Sequence, residues 1–68
     1  MIDIHDLPRG SVVKTGTGFW ESTITLTDEP VPYGEHRIGV DEQSGEEVAV
    51  PTLGEGRPML VFRAREDS

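Results

Sequence analysis

Apolar and polar side chains alternate along much of this chain, a two-residue spacing that is typical of β-strands. The longest run covers residues 19–27, where one face carries Trp20, Ser22, Ile24 and Leu26 and the other carries glutamate and threonines. No window of eleven or more residues repeats apolar positions at helical spacing without a glycine or proline intervening. The pattern therefore predicts an all-β chain.

Shorter alternating runs predict further strands at residues 2–5, 11–15, 36–40, 48–50 and 59–65. The runs 36–40 and 48–50 flank a loop containing Gly45, and this arrangement predicts a β-hairpin with its turn at 41–45. In that hairpin, His36, Ile38 and Val40 share one face. The last run begins with four apolar residues on both faces, so we expect a central strand, a barrel wall or an interface.

Glycine- and proline-containing turns separate these runs, and their even spread favours a folded domain over a disordered tail. The segment Leu7–Val13 resembles the beginning of the first strand in many SH3-like barrels. We therefore expect a small five-stranded SH3-like barrel or a curled antiparallel meander. A single domain would cover residues 1–68, with residues 66–68 frayed.

The predicted hydrophobic core is small for a chain of 68 residues. At about 1.5–3 kcal/mol for each large buried side chain, it barely offsets the entropy lost on folding. A homodimer or a stabilising partner would relieve that margin. The candidates are Ile4, Leu7, Val12, Trp20, Ile24, Leu26, Ile38, Val40, Val48, Val50, Leu60 and Phe62.

Composition narrows the classes of function. The chain has 13 acidic and 6 basic residues, a net charge of −7, which disfavours nonspecific binding to nucleic acid or anionic membranes. The absence of cysteine excludes disulfides and thiolate metal sites. A chain of 7.5 kDa also leaves little room for an enzyme cleft. The N-terminus lacks secretion-signal features and no apolar run would span a membrane, so we expect a cytoplasmic protein.

Motifs for catalysis, metals or cofactors are weak. The two histidines, His5 and His36, lie far apart in the sequence, and zinc sites need closely spaced ligands on a fixed element. Residues 41–47 superficially look like a calcium loop, but the glycine falls at the wrong position. The lone G-x-G at Gly16–Gly18 lacks the third glycine and helix of a dinucleotide site. We therefore predict no enzyme activity, no cofactor and no metal.

Charge placement carries the strongest functional signal. Residues 35–56 hold six acidic side chains against Arg37, a net of −5, whereas residues 57–65 hold three arginines and no acid, a net of +3. One interpretation is that the carboxylates keep a strand edge from pairing with other chains. The other is a contact surface for a basic partner. The predicted partner-binding residues are Glu35, Asp41, Glu42, Glu46, Glu47 and Glu55.

The leading hypothesis is a small non-enzymatic module that binds a basic protein surface. By analogy of charge and size alone, it would suit an acidic, phage-type inhibitor that mimics DNA and modulates a nucleic-acid-handling protein.

Two alternatives remain open at this point. A nucleic-acid-binding β-barrel would stack bases on aromatic rings and hold phosphates with arginine, although the net charge makes nucleic acid an unfavourable partner. Its residues would be Phe19, Tyr33, Arg57, Arg63 and Arg65. Adaptation to a salty cytoplasm, without a charge-specific partner, would also account for thirteen acids and one lysine.

Overall fold

The computed structural model describes residues 4–16, 21–53 and 58–65. After a short 3-10 helix at Ile4–Asp6, five strands form one antiparallel sheet in the order β4-β3-β2-β1-β5. The last strand thus lies beside the first, and the fold is an all-β meander. The strands are β1 (Val12–Thr15), β2 (Ser22–Leu26), β3 (Arg37–Asp41), β4 (Glu47–Val50) and β5 (Met59–Phe62).

The predicted hairpin at residues 36–50 is confirmed as β3 and β4, whose register pairs Arg37 with Val50 and Val40 with Glu47. The meander is also confirmed, whereas the SH3-like barrel is not. Strands β4 and β5 lie at opposite edges of the sheet. Within the described residues they do not pair with each other, so the sheet stays open.

The expected strand at residues 2–5 is wrong for its described part. Ile4 begins a 3-10 helix, and the Leu7 amide donates to the Ile4 carbonyl at 3.3 Å. The turn points the carbonyls of Ile4, His5 and Leu7 at the Arg37 guanidinium. The 3-10 helix depends on hydrogen bonds to an arginine some thirty residues away. The local alternating pattern carries no information on that contact, and it therefore predicted a strand.

One face of the sheet, here called the inner face, packs the hydrophobic core together with the N-terminal segment. In the register, Val13 on β1 lies between Ile24 on β2 and Leu60 on β5. Val48 and Leu60 are partly buried against this cluster. All buried members except Val13 were predicted; they are Ile4, Leu7, Val13, Ile24, Leu26 and Val50.

Several predicted core residues instead lie on the opposite, outer face. Val12 is half-buried there, and its neighbour Val13 takes the core position. On β3, Ile38 and Val40 are likewise half-buried, because Arg37 and the intervening glycine occupy the inner face. The predicted side of β3 is therefore the outer one.

Phe62 was also expected in the core, and it is 56% exposed. The pairing of β1 with β5 shifts between Val12 and Val13, so that Phe62 lies opposite Val12 while Leu60 lies opposite Val13. Opposed residues in an antiparallel pair share a face, and this irregularity puts Phe62 on the outer face. Trp20 lies outside the described residues.

Gly39 allows β3 to pass close to β2. A Cβ atom at this position would lie 2.8 Å from the Thr25 carbonyl oxygen and closer still to the Ile24 side chain. Glycine therefore fits here because of the close approach of two strands.

Arg37 is fully buried and joins three parts of the chain. Its Nε donates to Asp28 Oδ1 at 2.8 Å, and its Nη1 donates to the carbonyls of Ile4 at 2.7 Å and Leu7 at 2.9 Å. The other carboxylate oxygen of Asp28 accepts from the Ile38 amide at 3.1 Å. A planar guanidinium with five N–H groups suits such a buried junction. Arg37 is consequently a structural ion, not a surface charge of the acidic segment.

Candidate protein-binding surface

The β3–β4 turn is fixed by hydrogen bonds from its first residue. Asp41 Oδ1 accepts from the amides of Gln43 at 2.8 Å and Ser44 at 3.3 Å. The Asp41 carbonyl accepts from the Gly45 amide at 2.7 Å, where φ is +74°. This side-chain-to-backbone pattern is a common way for aspartate to close a turn. Asp41, a predicted binding residue, thus holds the turn in shape.

Further bonds attach the turn to its surroundings. The Glu42 amide donates to the Thr23 carbonyl of β2 at 2.8 Å, and the Asp41 amide donates to the Glu46 carbonyl at 2.9 Å. The Ser44 hydroxyl accepts from the Glu46 amide at 3.2 Å. The backbone of the turn therefore has partners on both sides, which limits the conformations that its side chains sample.

Three predicted carboxylates extend from this turn into solvent: Glu42, Glu46 and Glu47 are all exposed. Together with Asp41 they place four acidic groups within residues 41–47, a segment that has no lysine or arginine. A fixed cluster of one sign produces a local field that attracts a basic surface and is screened by salt.

A shallow depression of about 360 Å³ adjoins the turn, lined by Lys14, Glu21, Thr23, Glu42 and Gln43. Lys14 Nζ lies 3.0 Å from Glu21 Oε2, with both side chains partly exposed. Sequence reasoning missed Glu21. The register that pairs Lys14 with Thr23 is the signal that locates it, since residues two apart on a strand share a face.

Glu35 does not belong to this cluster. It is exposed at the other end of β3, where its carbonyl accepts from the Thr52 hydroxyl at 2.8 Å. The length of β3, four residue steps or about 14 Å, separates Glu35 from the β3–β4 turn. Glu55 lies outside the described residues.

We call Glu21, Glu42, Glu46 and Glu47 the acidic hairpin surface.

The residues of the nucleic-acid alternative lie in separate parts of the molecule. Tyr33 is 65% exposed in the loop before β3, and its ring lies edge-on to His5 with centroids 5.3 Å apart. Arg63 and Arg65 are exposed after β5, and Arg65 lines a different depression beside Arg9 and Glu29. Phe19 and Arg57 lie outside the described residues.

The described residues lack two further features. Among residues 4–16, 21–53 and 58–65, no group of three histidines, cysteines or acidic residues is placed to hold a metal ion. The same residues contain no helix long and apolar enough to cross a membrane.

Comparison with known proteins gives no match: no family model fits the chain, and no curated protein and no solved structure resembles it at a significant level.

Proposed function

We propose that this chain is a small non-enzymatic module whose acidic hairpin surface binds a basic protein surface. The observation that carries the proposal is the turn at residues 41–46, where hydrogen bonds hold the backbone of Glu42 and Glu46 in place beneath their exposed carboxylates. Groups that are already ordered lose less entropy on binding. A carboxylate cluster of this kind therefore contributes affinity that a flexible acidic tail would lose to ordering.

The class of partner follows from the chemistry of the surface. Proteins that bind nucleic acid present lysines and arginines to the phosphates, and their affinity depends strongly on salt. Exposed carboxylates on a rigid turn are able to occupy such a groove. We therefore propose inhibition or modulation of a nucleic-acid-handling protein, in the manner of a DNA mimic.

Two double variants separate the hairpin from net charge. Glu42→Gln/Glu46→Gln removes two of the four acidic groups at residues 41–47, whereas Asp6→Asn/Glu29→Gln neutralises two exposed acids elsewhere. Both pairs change the net charge by the same amount. A contact made by the hairpin is weakened only by the first pair.

The experiment is affinity capture from native lysate with the wild-type chain and both variants, at about 0.1 M and about 1 M salt, followed by titration calorimetry. Raising the salt shortens the Debye length from about 10 Å to about 3 Å. We expect a protein that the wild-type chain and the Asp6/Glu29 variant retain in low salt only. Equal retention by the hairpin variant, retention unchanged by salt, or no retained protein would contradict the proposal.

Titration of the Trp20 fluorescence with single-stranded oligonucleotides tests the nucleic-acid alternative, for which Tyr33, Arg63 and Arg65 are the exposed described residues. Because the net charge is −7, we expect no quenching at low salt. Saturable quenching that is lost in Arg63→Gln/Arg65→Gln would favour the alternative.

A further inference from the structure

Strand β5 exposes large apolar side chains at the edge of the sheet. Met59 is 74% exposed, and Val61 and Phe62 are each 56% exposed. Among the described strands β5 pairs only with β1, so its other side carries backbone donors and acceptors without a strand partner. An apolar, unpaired strand edge is a template for another strand.

The edge also lacks the residues that usually prevent such pairing. Pro58 precedes β5 and Arg63 follows it, but Met59–Phe62 contains no charge and no proline. The four acidic residues at 41–47 lie on the β3–β4 hairpin, and the sheet order puts β3 and β4 on the far side of β1 and β2 from β5.

We propose that β5 pairs antiparallel with β5 of a second copy of this chain, about a twofold axis perpendicular to the sheet. Such an axis keeps the inner face of both copies on the same side and extends the five strands into a ten-stranded sheet. The contact uses the same patch twice and closes after two copies.

The faces of the first and last residues of β5 agree with this arrangement. Met59 lies opposite Lys14 and Phe62 lies opposite Val12, so both belong to the outer face. Antiparallel pairing of identical strands sets the start of one beside the end of the other. Met59 then meets the partner's Phe62 at both ends of the contact, an apolar pair of sulfur and aromatic ring. In that alignment Arg63 lies beside the partner's Pro58 and not beside another arginine.

The position of the acidic hairpins allows a second copy to pair with β5 despite the net charge of −7. In the dimer, nine strand spacings of about 4.8 Å separate the two β4 strands, a distance of about 43 Å. The Debye length at physiological salt is about 8 Å. The acidic hairpins of the two copies therefore repel one another little, whereas any contact through β4 would bring them together.

The contact is small. Two four-residue strands with their flanking side chains bury less than the roughly 1,200 Å² of a standard interface. We therefore expect a reversible dimer that forms with rising concentration, and this inference does not depend on what the acidic hairpin surface binds.

The test is sedimentation velocity over about 10 µM to about 1 mM, a range suited to weak dimers, with two matched variants. Val61→Lys adds a charge to β5, and Ala49→Lys adds the same charge to the exposed centre of β4. We expect the mass of the wild-type chain and of Ala49→Lys to rise towards two copies, and Val61→Lys to stay monomeric at every concentration.

A wild-type chain that remains monomeric, a dimer that survives Val61→Lys, or a dimer abolished by Ala49→Lys would overturn the proposal. Assemblies larger than two copies would also overturn it, since a twofold contact closes. A urea transition of each variant shows that it is folded. If Val61→Lys fails that check, amide chemical shifts of the wild-type chain on dilution decide the matter: the largest changes must fall at residues 59–62.

Discussion

The two edges of the sheet are built differently. Strand β4 begins at Glu47 and is followed by Pro51; its Val50 is fully buried and its Ala49 is exposed. Strand β5 has neither a charge nor a proline within its four residues, and three of its side chains are exposed. Because the valines of β4 alternate with Glu47 and Ala49, burial of one face covers its large apolar side chains. Strand β5 is apolar on both faces, so burial of one face leaves apolar side chains exposed on the other.

The attachment of the two edges differs as well. Strand β4 pairs with β3 without interruption, and β3 carries the buried Arg37. Strand β5 pairs with β1 through an irregular register, and beyond it the Ala64 amide donates to the Ser11 hydroxyl at 3.0 Å. The comparison shows that one side of the molecule is fixed by a buried ion and the other by fewer contacts, with apolar surface left over.

Replacement of Arg37 should have the largest effect. Arg37→Met leaves Asp28 Oδ1 and the carbonyls of Ile4 and Leu7 without the guanidinium donor, and breaking a buried ion pair costs about 3–5 kcal/mol. We expect the urea transition, followed by circular dichroism, to move by that amount or to disappear. The exposed Arg63→Met should stay within about 0.5 kcal/mol. If Arg37→Met lowers the free energy of unfolding by less than about 1 kcal/mol, the buried Arg37 does not fix the β3 side of the sheet.

Gly39→Ala comes next, because the added methyl group would meet the backbone of β2. Overpacking of this kind costs about 1–3 kcal/mol, and we expect the upper end of that range in thermal and urea unfolding. Gly45→Ala is the control. Its Cβ would have no atom within 4 Å, and only the positive φ opposes it, at about 1 kcal/mol. Equal losses in the two variants would mean that β3 and β2 separate easily.

The edges are compared directly by Val50→Ala and Phe62→Ala. Loss of the buried Val50 methyl groups should cost about 2 kcal/mol, whereas truncation of the exposed Phe62 should change the free energy of unfolding by about 0.5 kcal/mol or less. Both are measured by urea denaturation at a concentration low enough to keep the chain monomeric. A larger loss for Phe62→Ala would reverse the comparison.

The smallest expected effect concerns two carboxylates, Glu46 in the turn and Glu47 at the start of β4. Glu46→Gln/Glu47→Gln should leave the free energy of unfolding within about 0.5 kcal/mol of the wild-type value. Because charges at a strand edge discourage pairing, we expect light scattering at high concentration to rise relative to Asp6→Asn/Glu29→Gln. Scattering equal to that control would show that Pro51 and the exposed Ala49 suffice to protect the edge.

Alternation in the sequence was enough to place the five strands and the β3–β4 hairpin, and to identify Ile24, Leu26 and Val50 as core, but it also predicted a strand at residues 2–5, where Ile4 begins a 3-10 helix. Alternation was insufficient where two neighbouring residues are equally suited to the core. Val12 and Val13 are both β-branched and apolar, and only the pairing of Val13 with Ile24 and Leu60 decides between them.

The candidate site shows the same limit. Glu42, Glu46 and Glu47 could be predicted from a local run of acids beside a turn. Glu21 could not, because it reaches the turn only through the pairing of β2 with β3. Arg37 was counted in the net charge of residues 35–56 and its burial was not predicted, because its partners lie nine to thirty-three residues away and local patterns carry no information on such contacts.

The buried guanidinium also acts on the pairing of β3 itself. A slip of one residue turns every side chain of a strand to the other face, and here it would remove Arg37 from the carbonyls of the N-terminal 3-10 helix and push Ile38 into the space beside Ile24. Misaligned hairpins would thus carry an unpaired charge, a penalty that apolar packing alone does not impose. The contacts of Arg37 with the N-terminal carbonyls therefore favour the native register of β3 over a register shifted by one residue.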